Sequence, residues 1–336
     1  LRAFVLVRDV EKWQDVAKAR GIPSSRAVAL RGDVTLPGLG LAPETRLQLS
    51  ERVTTVLHAA ADTVFSNPLP DARRVNTEGT ANLLGLLETW PKVEKLVHVS
   101  TAFVVGRRTG LIMERDYSAE PGFVNFYEQS KYEAEQLVRS SSRPWVIARP
   151  STVVCDSMEG DVSQFNVVHR SLRLYHAGLA PMLPGNETST VDLVTTRHVV
   201  ECIVDLTRAQ GIEGRTFNVC AGEAAIELGL LLDLAYSVWS ESDRWRRKSI
   251  SLPALTELET YELFERTVEE TADPRLRAIT KSLSHFVPQL SLQKTFDVSG
   301  TEAVTGRRAP EVRSVWEAMV RHLIETRWAA SVRRAA

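Results

Sequence analysis

Cysteine is scarce in this chain: Cys155, Cys202 and Cys220 are the only three among 336 residues. They form no C-x-x-C pair and no zinc-type spacing, which excludes a disulfide framework and a structural zinc site and predicts a reducing compartment. Long apolar runs are missing too, and none reaches the roughly 18–20 residues needed to span a bilayer. No signal-peptide pattern is visible. A charge bias is absent: 41 Lys and Arg stand against 42 Asp and Glu, a formal net charge of −1. That balance gives no global basic field and argues against nucleic acid as a partner. There is no internal repeat and no low-complexity tract. What remains is the expectation of a soluble, cytoplasmic α/β protein, long enough for one large domain or two unequal ones.

What is present alternates. Arg2 to Val7 reads as a short, unbroken apolar strand of the parallel kind. A helix from about Asp9 to Arg20 follows, closed by Gly21. Strands are expected at Ala27 to Leu30, Val53 to Leu57, Lys95 to Val99 and Pro144 to Ala148. Helices are expected from Asn76 to Leu87 and from Tyr127 to about Ser140. That alternation predicts a doubly wound parallel sheet. Beyond Pro150 the pattern loosens into loops, with one helix near 164–177. A helix from Thr196 to Leu206 and a strand from Thr216 to Val219 return to the sheet. From Glu223 onward the chain reads as mostly helical, with loops near Ser251–Pro253 and Leu290–Gly300. The expected division is a dinucleotide-binding unit over 1–150 and a smaller, mainly substrate-binding cap over 151–336, with 196–220 rejoining the sheet.

The chemistry centres on Tyr127-Glu128-Gln129-Ser130-Lys131. A Tyr and a Lys four residues apart share one helix face. A cation close to the phenol favours phenolate, so Tyr127 is expected to exchange a proton near neutral pH. Such a pair also occurs on ordinary surface helices, so it needs support from elsewhere in the chain.

That support lies in VLVRD (5–9), GDV (32–34), LHAAADTVF (57–65), VNTEGTANLL (75–84), VHVSTAFVVG (97–106), YEQSKYEAE (127–135) and ARPSTVV (148–154). In this order they resemble an extended short-chain dehydrogenase/reductase, and within that group the thioester-reductase and fatty acyl-CoA reductase branch. The resemblance runs over roughly residues 2 to 220. It implies a Rossmann-like sheet with a largely helical C-terminal substrate cap. One departure is large. A strand, a Gly-rich turn and a helix should hold the pyrophosphate, yet nothing matches that turn; Gly38-Leu39-Gly40 follows Pro37 in a loop and opens no βα unit. The resemblance implies that the first residues would correspond to the second strand of such a fold, with about one βα unit expected to have been removed or left out.

The resemblance implies roles for particular residues. Thr101 would be the catalytic hydroxyl, bonding the substrate oxygen as it gains charge; a local cap at the strand end is the plainer reading. Ser100 should point to the other face of the strand. Tyr127 and Lys131 would complete the catalytic set and touch the cofactor, Lys131 at the nicotinamide ribose. Asn76 would hold the active-site helix and a water, or serve as a helix N-cap. Ala59, Ala60 and Ala61 would let the cofactor backbone pass, or simply pack helix on sheet. Asp33 and Val34 would flank the adenine, and Pro150 would line the cofactor site. His58 reads as structural.

Arg8 stands at the end of the second strand, where an acidic residue would accept the 2′-hydroxyl of NAD. A guanidinium suits a 2′-phosphate instead, so NADPH is the expected cofactor, although Asp9 could neutralise Arg8. The expected activity is reduction of an acyl thioester, on coenzyme A or an acyl carrier protein, to the aldehyde, with further reduction to the alcohol left open. The alternatives are a keto, hydroxy or sugar-nucleotide enzyme of the same group, or a catalytically silent dinucleotide sensor. Arg244, Arg246, Arg247 and Lys248 around Trp245 form either a solvated face or a patch for an acidic carrier. Leu228 to Trp239 reads as core or acyl-pocket wall rather than a membrane anchor.

Overall fold

The computed structural model describes residues 2–271 and 274–329; Leu1, 272–273 and 330–336 of the expected division lie outside them. The first half runs β1 (Ala3–Val7), α1 (Val10–Ala19), β2 (Ala27–Arg31), α2 (Pro43–Ser50), β3 (Thr55–His58), α3 (Leu69–Asn76), α4 (Glu78–Glu88), β4 (Lys95–Val99), β5 (Gly110–Ile112), α5 (Phe126–Arg139) and β6 (Trp145–Pro150). After it come β7 (Thr152–Cys155), α6 (Val167–His176), β8 (Met182–Pro184), β9 (Thr190–Val191), β10 (Leu193–Thr195), α7 (Thr196–Arg208) and β11 (Arg215–Val219). The remainder is β12 (Ile226–Glu227), α8 (Leu228–Ser240), α9 (Asp243–Arg246), β13 (Ala254–Thr256), α10 (Leu258–Thr271), α11 (Pro274–Ser284), β14 (Lys294–Phe296), α12 (Ser299–Thr305) and α13 (Val312–Glu325).

The main sheet is parallel throughout, in the order β11-β6-β4-β3. Its centre is buried on both faces: Leu96, Val97 and His98 of β4 and Val146, Ile147 and Ala148 of β6 are fully inaccessible. That is why these strands read as unbroken apolar runs. On one face Leu83, Leu84, Leu86 and Leu87 of α4 pack with Leu96, Ile147 and Val138 of α5. On the other, Val199, Cys202, Ile203 and Leu206 of α7 cover Val97, Val146 and Phe217. The result is a doubly wound, Rossmann-like α/β fold.

The sheet is not continuous. β1 and β2 pair only with each other, in parallel, among the described residues. Phe4, Leu6 and Leu30 of this pair nevertheless rest on the same α4 core that β3 reaches through Val56. Among the described residues no strand pairs with the edge of β3 that faces away from β4, and Leu57 there is 51% exposed.

Three expectations need correcting. The helix expected from Asn76 to Leu87 is α4, Glu78–Glu88, and Asn76 instead ends a separate, unexpected helix, Leu69–Asn76, that starts directly after Pro68. A break at Thr77 then opens α4. Residues 151–195 are not simple loops around a helix, because β7 pairs with β10, β8 with β13 and β9 with β12. The loop expected at Leu290–Gly300 contains β14, which pairs with β5 from the first half. Pairs of two or three residues carry no periodicity of their own, so only the partner strand defines them. The C-terminal region has a separate core, in which Leu172, Leu183, Leu231, Trp239, Trp316 and Met319 meet. α8 is buried along most of its surface within that core. No described helix is long and apolar enough to cross a membrane.

Candidate functional site

β4 ends at Val99, and the chain then turns through a short helical stretch, Ala102–Val105. Thr101 caps that stretch, its hydroxyl accepting from the Phe103 N–H at 3.3 Å. The same hydroxyl hydrogen-bonds with the Tyr127 phenol. The capping reading of Thr101 is therefore realised, and the cap leaves its hydroxyl beside the phenol. Ser100 faces the other way, toward Glu135, as strand alternation requires.

α5 starts behind Asn125, whose side chain accepts from the Glu128 N–H at 3.0 Å. Tyr127, Lys131 and Glu135 follow at four-residue intervals, so one helix face carries all three toward the sheet. The Lys131 ammonium donates to the Val99 carbonyl at 2.9 Å and lies 3.5 Å from His98 Nε2. Burial pulls its pKa down to about 8, with Glu135 pulling the other way. Glu135 itself forms a two-pronged pair with Arg149 at 2.9 and 2.8 Å, both side chains inaccessible. Burial pushes the Glu135 carboxyl up, but Arg149 outweighs it and the carboxyl stays below its usual range.

The expected low-pKa phenol is not what the structure holds. Tyr127 is half-buried with its hydroxyl end enclosed, and burial raises its pKa to about 12. The Thr101 hydrogen bond lowers it and the Glu128 carboxylate raises it further. Desolvation therefore outweighs any help from Lys131.

Asn76 is not a helix N-cap, because it sits at the C-terminal end of α3. Its amide instead accepts from the Asp62 N–H at 2.8 Å and donates to the Asp62 carbonyl at 3.0 Å and to Ser130 Oγ at 2.9 Å. It thus ties the loop after β3 to the middle of α5. Three residues later Gly79 lets α4 approach the chain after β2: a Cβ there would stand 3.0 Å from Val34 Cγ2. Val34 packs in that contact and its carbonyl accepts from Asn82 at 2.9 Å. Ala59, Ala60 and Ala61 are exposed, so they do not pack helix against sheet. Pro150 is buried at the end of β6, paired with Val219 of β11.

A cleft of about 600 Å³ lies beside the end of β1, lined by Arg8, Arg31, Gly32, Asp33, Leu36 and Thr45 among others. Asp33 is committed to a turn, accepting from the Thr35 N–H at 2.9 Å and its hydroxyl at 2.8 Å. Those bonds, the backbone one foremost, lower its pKa, and the charges of Arg8 and Arg74 add to them. Asp9 accepts from the Lys12 N–H at 2.9 Å as the N-cap of α1. Among the described residues no ion pair within 4.0 Å joins it to Arg8.

Several neighbours escaped the sequence reading. His98 lies under Lys131, and its ring is 5.2 Å from that of His58. His58 also meets Thr80 Oγ1 at 3.0 Å, and burial drops its pKa to about 3, so it stays neutral within the wall. Phe65 packs on Tyr127 with ring centres 5.2 Å apart and stacks on Phe286 at 6.4 Å. Phe286 also lines an apolar cavity of about 50 Å³ with Leu172, Leu183, Leu228, Leu231 and Leu290. Glu135 and Arg31 were legible as side chains but not as neighbours. The arginines after Ser242 are exposed around Trp245, which is buried and donates to the His176 carbonyl at 2.9 Å.

Comparison with known proteins agrees with this architecture. Residues 6–203 match the NAD-binding family described as Male sterility protein. The chain belongs to that family. It is 30% identical over 212 residues to a non-canonical nonribosomal peptide synthetase, cpsA, of Aspergillus campestris, covering 58% of this chain and 20% of that protein. It is 27% identical over 210 residues to the putative fatty acyl-CoA reductase CG8303 of Drosophila melanogaster, covering 52% of this chain and 39% of the relative. The chain therefore spans well under half the length of these curated relatives. In fold it is similar to the terminal R domain of the myxalamid PKS-NRPS pathway, with a TM-score of 0.75 at 22% identity over 98% of this chain and 85% of that one.

Proposed function

We propose that this chain reduces an acyl thioester, carried on coenzyme A or a carrier protein, to the aldehyde with NADPH. The observation that carries the reading is the meeting of Thr101, Tyr127 and Lys131 where β4 ends beside α5. The residues around them fit a nicotinamide dinucleotide. Exposed alanines follow β3, and the cleft at β1 presents Arg8 and Arg31. Lys131 uses one N–H on Val99 and faces His98 with another, which leaves a third for a ribose hydroxyl. The bound cofactor would supply the hydride to the thioester carbonyl.

The protein's own groups would do the rest. Thr101 and Tyr127 would donate hydrogen bonds to the carbonyl oxygen as it becomes an oxyanion, and Tyr127, protonated at neutral pH, would deliver the proton. The resulting hemithioacetal would collapse to aldehyde and free thiol. Asp33 and Val34 would border the adenine and Asn76 would hold α5 against the loop after β3. Pro150 would close the floor beside the nicotinamide. Phe65 and Phe286 lead from Tyr127 toward the apolar cavity, a wall better suited to an acyl tail than to a sugar nucleotide.

The test is to incubate the full-length protein and NADPH with acyl-CoA and acyl-carrier thioesters, beside a hydroxysteroid and a sugar nucleotide. Thiol release in step with NADPH loss is the expected result. Turnover of the hydroxysteroid or the sugar nucleotide alone, with no thiol released, overturns the reading.

A further inference from the structure

Packing does not account for one buried group beneath the candidate site. His98 stands between Val97 and Val99 in β4 and is 0% exposed. Strand alternation turns it to the same face as Leu96, toward α5. Its Nε2 lies 3.5 Å from the Lys131 ammonium. An ammonium can only donate, so Nε2 accepts and the ring proton sits on Nδ1. Nδ1 meets no hydrogen-bond partner among the described residues. Across the strand pair His98 faces His58 in register, and His58 directs its own Nε2 to Thr80 Oγ1. Burial, then Lys131, then His58 hold the His98 ring neutral.

Stability gives no reason for a histidine at this position. A buried donor without a partner is a cost, and an apolar side chain such as Leu96, two residues earlier on the same face, avoids it. What the ring supplies is a second anchor for Lys131. With the Val99 carbonyl alone, at 2.9 Å, the ammonium could pivot about one bond on its flexible four-carbon stem. A second acceptor on a different residue stops that pivot and leaves the third N–H a single direction. The titratable groups that face the ammonium are Glu135 from α5, His98 from β4 and His58 from β3. Glu135 is engaged by Arg149 and His58 by Thr80, while His98 takes an ammonium N–H.

We propose that His98 is a positioning residue for Lys131: its neutral imidazole accepts one ammonium N–H and thereby aims the remaining one at the nicotinamide ribose. The inference rests on the cofactor half of the reading above, in which Lys131 bonds a ribose hydroxyl. The unpartnered Nδ1 is then the cost of presenting Nε2 to the ammonium.

The test uses the full-length protein, with NADPH affinity read by fluorescence titration and kcat/KM for octanoyl-CoA read across pH. His98→Leu removes the acceptor and keeps the core apolar. NADPH affinity should fall by about three- to tenfold. The basic limb follows the Lys131 ammonium near pH 8, and losing an acceptor disfavours the charged form, so the limb should move down by about half a pH unit. His98→Gln carries an amide oxygen to about the reach of Nε2 and should return both readings toward the wild type. A merely structural histidine predicts that His98→Leu moves neither reading, and that Gln, polar in an apolar sheet, does no better than Leu. His98→Met is made beside His98→Leu, so that acceptor loss can be measured even if leucine prevents folding. Unchanged affinity and an unchanged limb in the folded apolar variants overturn the inference. A wild type that binds NADPH but releases no thiol overturns the thioester reading alone, because the titrations of the Leu and Gln variants still decide this one.

Discussion

The two ends of the candidate cofactor path are built on opposite principles. At the nicotinamide end, Lys131, His98, Glu135 and Arg149 are all but inaccessible, and each polar group is shifted by burial and by its neighbours. At the adenine end, Arg8 and Asp9 are exposed, Asp33 is half-buried and the pair β1-β2 stands apart from the main sheet. The difference teaches where precision is needed. A proton donor must hold its geometry and its pKa, and a rigid core does that. A phosphate contact needs mainly the right charge within reach, which an exposed arginine provides.

This contrast can be broken in several places, beginning with acid. His58 is buried neutral with its pKa lowered from 6.5 to about 3, first by burial and then by Lys131. The unfolded chain binds the proton and the folded one does not, so stability is fully present above about pH 6.5 and is lost as pH falls toward 3. The penalty at the acid end is on the order of 5 kcal/mol. Thermal melts should therefore fall steeply below pH 6.5 in the wild type and less steeply in His58→Gln. Equal slopes would remove His58 from the account.

Next comes the buried pair. Glu135→Leu leaves the Arg149 guanidinium uncompensated, and should cost about 3–5 kcal/mol in chemical denaturation. A loss below roughly 1 kcal/mol, the scale of exposed pairs, would mean that water reaches Arg149 and that the nicotinamide end is not the rigid one.

Tyr127→Phe removes the proton donor and keeps the ring against Phe65. Turnover should fall by about 100-fold or more, with NADPH binding little changed. A variant that keeps more than about a tenth of the activity would place the acid elsewhere.

The smallest effect belongs to the exposed end. Arg8→Ala should erase most of a roughly tenfold to hundredfold preference for NADPH over NADH. Binding titrations with both cofactors on the full-length protein check it, and equal affinities in the unmodified protein would sink the assignment. A preference that survives in the variant would pass the role to Arg31, which lines the same cleft.

Much of this fold was legible because the sheet is buried on both faces. Lys95–Val99 was read to the residue, since a central parallel strand is one apolar run between polar turns. The face of α5 was legible too, because helical spacing puts Tyr127 above Lys131 in any helix. The N-cap reading of Asn76 fails for a reason just as local: N-x-x-G-T before an apolar stretch looks like a helix start. Only the packing of α3 and α4 against α5 reveals a helix end that ties the loop after β3 to α5.

By itself, then, the sequence determined the order of the main-sheet strands, the pairing of Tyr127 with Lys131, and the arginine at the end of β1. Each of these follows from spacing along a few neighbouring residues. The tertiary structure alone decided that the phenol is raised rather than lowered, that Glu135 finds Arg149, and that Glu128 meets Gln289 and Lys294. Desolvation depends on how much protein surrounds a group, and contacts across 160 positions depend on how distant segments pack. Neither quantity is written in any stretch of sequence short enough to read.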